Sequence, residues 1–135
     1  MRKLFIFLYC SLFFYCTVSP PIEIKQLSGY WEIEFITQEG ETFIPKANAP
    51  LYDHYILDND QGVLNKVASH FGGSFSTSKD ITSFQIEKLD KNHYIRFKTR
   101  WDEWSQKINH LDSQKLILEN NKRLYHYKRP TAIIP

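Results

Sequence analysis

The stretch LSGYWEIEFIT, residues 27–37, alternates along its length. Successive side chains of an extended strand point to opposite faces, so Trp31, Ile33 and Phe35 share one side and Tyr30, Glu32 and Glu34 the other. Apolar and polar residues at period 2 mark a half-buried strand. A tryptophan at the start of a first strand reads as a plug, a large ring closing one end of a hollow core. That reading requires the rest of the chain to supply a barrel.

Strand-sized runs do follow. LYDHYILD (51–58), VLNKVAS (63–69), ITSFQIEKL (81–89), HYIRFKTRW (93–101), QKLILE (114–119) and RLYHYKR (123–129) are separated by NDQG, FGGS, DKN and NNK. Asn, Asp and Gly are turn residues, and short runs at this spacing predict an antiparallel meander. In HYIRFKTRW, Ile95, Phe97, Thr99 and Trp101 are expected on the core side, and Tyr94, Arg96, Lys98 and Arg100 on the wet side. Leu116 and Leu118 repeat the alternation.

Two segments are less regular. QEGETFIPKANAP (38–50), with Gly40, Pro45 and Pro50, has no period and reads as a long loop. Its Phe43 and Ile44 either form a lid over an open mouth or pack against the rim. In WDEWSQKINHL (101–111), Trp101, Trp104, Ile108 and Leu111 stand at helical intervals, while Trp104, Gln106 and Ile108 align on a strand. The strand is preferred, because its neighbours are strands and DSQ (112–114) suits a hairpin. Eight or nine aromatic-rich strands with no helix to cover them favour closure, which removes sheet edges. The fold expected is all-β, an antiparallel up-and-down barrel of about eight strands.

The N-terminus reads differently. MRKLFIFLYCSLFFYC has Arg2 and Lys3 followed by an uncharged apolar run, short for a bilayer span and suited to a secretory leader; an uncleaved membrane anchor is the alternative. The expected division is a leader at 1–19, a proline-containing lead-in at 20–26, a barrel at 27–130 and a tail at 131–135. The chain carries 17 Lys+Arg against 15 Asp+Glu. Arg2 and Lys3 belong to the leader, so the remainder is formally neutral and has no electrostatic footprint for nucleic acid. Both cysteines, Cys10 and Cys16, lie in the leader, so the domain has no internal disulfide and depends on its core. Cys16 ends the apolar run as the lipid-modified cysteine of a bacterial lipoprotein does, although Tyr15 stands where a small residue is usual. The expected location is the periplasm or cell envelope, with a lipid anchor on Cys16 as the membrane contact.

Catalytic signatures are missing. There is no Gly-x-Ser-x-Gly, His-Glu-x-x-His, P-loop or dinucleotide fingerprint. His54, His70, His93, His110 and His126 lack metal-ligand spacing, with a meeting of His54 and His126 inside a barrel as the minor alternative. Asp53 and His54 are adjacent on a strand and point apart, so they do not form a dyad. No catalytic residue, metal or cofactor is expected. The aromatic residues carry what remains. Tyr55, Phe84, Phe97 and Trp101 are candidates to line a cavity for an apolar small molecule, or else to fill the barrel solidly.

The leader, the LSGYWEIEFIT strand, the long first loop, the meander and the closing YHYKR together resemble the bacterial lipocalin-like domains, over about residues 27–130. Gly29 and Trp31 match the Gly-x-Trp of that family's first strand. Arg129 matches the basic residue near the end of its last strand, whose guanidinium covers the indole. The family's second turn motif is not recognisable, and PTAIIP is too short for a C-terminal helix. The resemblance implies barrel closure by Gly29, Trp31 and Arg129, and a non-enzymatic exported barrel that binds a small hydrophobic ligand. The other reading is a filled β-barrel envelope lipoprotein acting as a protein-interaction or inhibitor module.

Overall fold

A computed structural model of the chain describes residues 21–46, 51–69, 75–77 and 81–131. The leader with Cys10 and Cys16, the FGGS turn and the tail after 131 lie outside the described residues. A short 3-10 turn, Ile24–Leu27, leads into ten strands: β1 Gly29–Gln38, β2 Glu41–Phe43, β3 Leu51–Asp58, β4 Gln61–Ser69, β5 Phe75–Thr77, β6 Thr82–Leu89, β7 Asn92–Lys98, β8 Glu103–Leu111, β9 Lys115–Asn120 and β10 Arg123–Lys128. Eight of them form a ring in the order β1-β3-β4-β6-β7-β8-β9-β10, and β10 pairs back onto β1 from Glu32↔Lys128 to Gln38↔Arg123. Every pairing is antiparallel. The result is a closed eight-stranded barrel, with β2 laid against the far end of β1 and β5 against the far end of β4.

Tight turns set the registers. The turns at Glu39–Gly40 and Asn121–Lys122 have both residues at positive φ, 50° and 80° in the first and 49° and 63° in the second. That is the backbone a two-residue hairpin needs to match strand twist. Asn59 and Asp90 also sit at positive φ, 58° and 56°, where short polar side chains are tolerated best. The first of these turns corrects the reading of 38–50 as a structureless loop. Its first residues continue β1 into a hairpin, because Gly40 permits the reversal.

Two β-bulges change which side chains enter the barrel. On β1 the register against β10 shifts between Ile33 and Phe35. Glu34 is the extra residue, so the inward set runs Trp31, Ile33, Ile36. Phe35 is thereby turned to the outer face, where its ring stacks on His126 at 4.1 Å, contrary to the simple alternation. On β8 the register shifts between Ile108 and His110. Trp104, Gln106, Ile108 and Leu111 therefore share the inner face. The helical spacing in the sequence is a strand with one inserted residue, Asn109.

The core collects toward one end of the barrel. Leu27, Trp31, Ile95, Leu116 and Leu118 have no exposed surface, and Tyr55, Phe97 and Ile108 almost none. Each such side chain contributes roughly 1.5–3 kcal/mol through removal from water. Gly62 serves this packing, because a Cβ there would lie 1.9 Å from the Ile56 carbonyl oxygen and 2.8 Å from the Phe84 ring. Phe84 stands directly across the ladder from Gly62, and the missing side chain is what lets its ring lie flat on the sheet.

Candidate ligand-binding site and barrel closure

The closed end is built around Trp31. Its indole is fully buried, and its Nε1–H donates to the Leu27 carbonyl at 2.9 Å. The guanidinium of Arg129 stands 3.7 Å above the ring centroid. Arg129 also donates from Nη2 to the Gln26 carbonyl at 2.6 Å, from Nη1 to the Tyr30 carbonyl at 3.0 Å and from Nε to the Ser113 carbonyl at 3.2 Å. One planar group thus ties the lead-in, the first strand and the β8–β9 turn while capping the indole. Burial lowers its pKa, yet arginine in a protein stays protonated. Gly29 makes room for it: φ is +112°, and a Cβ would fall 3.0 Å from Nη1. Only glycine adopts that backbone readily.

Above this floor lie three of the four residues expected to line a cavity. Tyr55 meets Phe84 edge-on at 5.5 Å, and Phe97 lies 6.4 Å from each of them. All three are buried and in mutual contact. The fourth, Trp101, is elsewhere. It is 86% exposed on the β7–β8 turn, beside the Arg100 guanidinium at 5.2 Å. The alternation that placed Trp101 inward ends at Thr99. There the hydroxyl oxygen accepts from the N–H of Trp101 at 3.2 Å and of Asp102 at 3.0 Å, turning the chain out of the sheet. Trp104 occupies the inward place instead, its ring stacked on Phe97 at 5.3 Å.

The inner wall also carries polar groups whose inward place the sequence reading did not assign. Asp53 stands across from Trp31 on one side and Lys66 on the other, and is buried. Its carboxylate accepts from Lys66 Nζ at 2.5 Å. Burial raises the pKa of Tyr55 and Tyr127, and the Asp53 charge adds to it, so both phenols stay neutral donors. Strand period places Asp53 and Tyr55 on one face, and that was the available signal. His54 is on the outer face, stacked on Tyr30 at 4.0 Å. His126 is outside too, with Nε2 3.3 Å from Thr37 Oγ1. The two imidazoles pack against rings five residues apart on β1, roughly 17 Å at strand rise, and do not meet.

Toward the other end the inward residues change character. Ile36, Trp104, Gln106 and Tyr125 face inward by register but are only half-buried. Phe43, paired with Ile36 and on the same face, is 53% exposed. The barrel is thus sealed at the Trp31 end, filled with rings in its middle and accessible at the end where β1 turns into β2.

A closed antiparallel meander of eight strands, with Gly-x-Trp on the first and an arginine over the indole, defines a lipocalin-like β-barrel domain. No protein-family profile matches the chain, and no curated protein matches it. Among solved structures, a lipocalin-like protein from Bacteroides uniformis ATCC 8492 superposes with a TM-score of 0.48 at 11% identity, over 77% of this chain and 98% of that one. An uncharacterized protein from Bacteroides eggerthii DSM 20697 superposes with a TM-score of 0.49 at 10% identity, over 76% of this chain and 98% of the other.

Proposed function

We propose that this domain is a non-enzymatic binder of a small hydrophobic ligand, held in the accessible outer half of the barrel. One observation supports the reading most: Ile36, Trp104 and Tyr125 point into the barrel and are only partly buried, above a fully buried layer of rings. Apolar surface facing inward yet open to solvent is what a ligand pocket offers, and Gln106 and Lys66 nearby supply a few polar contacts. Phe43 on the β1–β2 hairpin would close over such a ligand. In this reading Tyr55, Phe84 and Phe97 form the floor of the pocket, not its walls. The domain is exported to the periplasm or cell envelope, and a lipid on Cys16 holds it at the membrane.

The test is titration with an environment-sensitive, uncharged apolar probe. Wild-type protein should raise the probe's emission, and Trp104→Arg should abolish the rise while circular dichroism stays native. Lys98→Glu, on the outer face, should leave it unchanged. A folded wild type that binds no apolar probe overturns the proposal. It would favour the second reading, a filled barrel acting as a protein-interaction or inhibitor module. The exposed Phe43, Ile44, Leu51 and Trp101 toward the open end speak for that reading, since exposed apolar side chains on a rim can serve as contact points for a partner. Acyl mass at Cys16, and release of the protein by Cys16→Ser, test the anchor separately.

A further inference from the structure

The opposite end of the barrel carries a second recess. A cleft of about 860 Å³ lies between the lead-in residues Pro21 and Ile22, the β6–β7 turn and the bulged part of β8. That size is within the range of small-molecule sites. It is separate from the mouth, because none of Ile36, Trp104 or Tyr125 lines it.

Its chemistry is two-sided. Ile22 and Leu111 provide apolar wall, and the lysines Lys88, Lys91 and Lys107 line it beside the one carboxylate of Asp90, Lys107 from an outward register position. Among the described residues none of these lysines forms an ion pair. His93 lies between them. It stands directly across the ladder from Lys88, with both on the inner face, so their side chains are neighbours. Its Nδ1 is buried and has no hydrogen-bond partner. A buried polar nitrogen left unsatisfied is unfavourable, and such atoms are uncommon in folded proteins. The other histidine of the cleft differs, because His110 Nε2 already pairs with Asp112 at 2.6 Å.

We propose that this cleft binds a small amphipathic anion of the alkyl carboxylate or alkyl phosphate type. The headgroup accepts from Lys88 and Lys91, a rotation of the neutral His93 ring brings its buried Nδ1–H to the same headgroup, and the alkyl chain lies on Ile22 and Leu111. The bulge at Asn109 contributes by bringing Leu111, rather than His110, to the inner face. The site stands independently of ligand binding at the barrel mouth.

The experiment is NMR titration of the isotopically labelled protein with dodecanoate, dodecyl phosphate and the neutral analogue dodecanol. The anions should shift the His93 imidazole nitrogens and the backbone amides of Ile22 and Asn92. Dodecanol should bind at least roughly tenfold more weakly, the effect of losing one charge-assisted hydrogen bond. Lys88→Gln and His93→Asn should each weaken dodecanoate by roughly tenfold or more by the same reasoning. Trp104→Arg, at the mouth, should leave this binding unchanged. The proposal is overturned if dodecanol shifts the His93 and Ile22 signals as strongly as dodecanoate, if those signals titrate as in wild type in the folded Lys88→Gln and His93→Asn proteins, or if dodecanoate shifts Trp104 and Tyr125 alone. A preference for dodecyl phosphate over dodecanoate supports a phospholipid-like source, and the reverse supports a free fatty acid.

Discussion

Arg129→Ala removes a guanidinium that serves four groups at once, and the structure sets the expected loss. Of the three carbonyls that lose a donor, those of Gln26 and Tyr30 are part-buried and that of Ser113 is exposed. The exposed contact is taken as nil, since water replaces it. The other two are worth about 1 kcal/mol each, below the usual range for charged donors because water can partly re-solvate them. Loss of the cation over Trp31 adds about 1–2 kcal/mol. The total, about 3–4 kcal/mol, is a large share of a typical domain stability of about 5–15 kcal/mol. With a urea slope near 1.5 kcal/mol/M, the midpoint should fall by roughly 2 M. Arg129→Lys should recover no more than about half of that, because an ammonium cannot stack on an indole and reach several carbonyls from one plane. Urea unfolding followed by tryptophan emission, with the native spectrum of Arg129→Ala red-shifted as Trp31 is uncovered, reads both quantities. A loss below about 1 kcal/mol, or a lysine variant as stable as wild type, would refute this account of closure.

Other outcomes follow from particular contacts. Gly29→Ala should destabilise by about 2 kcal/mol or more, since it forces an L-residue to φ +112° and sets a Cβ against Arg129, whereas Gly40→Ala, with open space around it, should cost less; denaturant melts compare them. Deleting Asn109 should restore plain alternation with Ile108 and Leu111 still inward and His110 still outward, so the protein should stay folded and lose no more than about 1 kcal/mol; a loss above about 3 kcal/mol in denaturant melts would show that the bulge itself is required. Asp112 accepts from His110 and from the N–H groups of Gln114 and Lys115, which hold its pKa down at about 2 against an ordinary 3.8. Its stabilising effect is therefore complete above about pH 3.8 and fades as pH falls toward 2, and Asp112→Asn should flatten that part of a melting-temperature profile. Burial lowers the pKa of His54, His93 and His126 below 6.5, so folding disfavours their charged forms; stability should decline as pH drops below 6.5, and a flat profile from pH 7.5 to 5.5 would contradict this.

The barrel was legible because its strands alternate and its turns carry Asn, Asp and Gly. Trp31 was readable as a plug from strand alternation, whereas Gly29 and Arg129 joined it through the resemblance to the first and last strands of the lipocalin-like domains. The bulges were not. An inserted residue leaves composition untouched and only shifts parity, so Phe35 was assigned to the wrong face and Leu111 looked helical. Trp101 failed for a related reason. Alternation continues in the letters of HYIRFKTRW after the strand has ended, and the Thr99 hydroxyl that stops it makes a contact with no period. Lys66 was overlooked and Asp53 was weighed only against His54, because an inward charge contradicts the pattern by which inward positions are recognised. The cleft by His93 depends on where the lead-in lies, which strand period does not address.

The pairing of β10 with β1 has a bearing on how the molecule comes to exist. Arg129 reaches Tyr30 across 99 positions of sequence and Gln26 across 103. During synthesis, β1 has no partner on that flank until Arg123–Lys128 has emerged, so the ring cannot close before then. Contacts so distant along the chain place folding in the slow class of small domains, milliseconds to seconds. Until closure, β1 and the growing end of the meander both present unpaired backbone, the feature that templates aggregation. The arginine that caps the indole is therefore also the residue whose arrival ends the chain's most vulnerable interval.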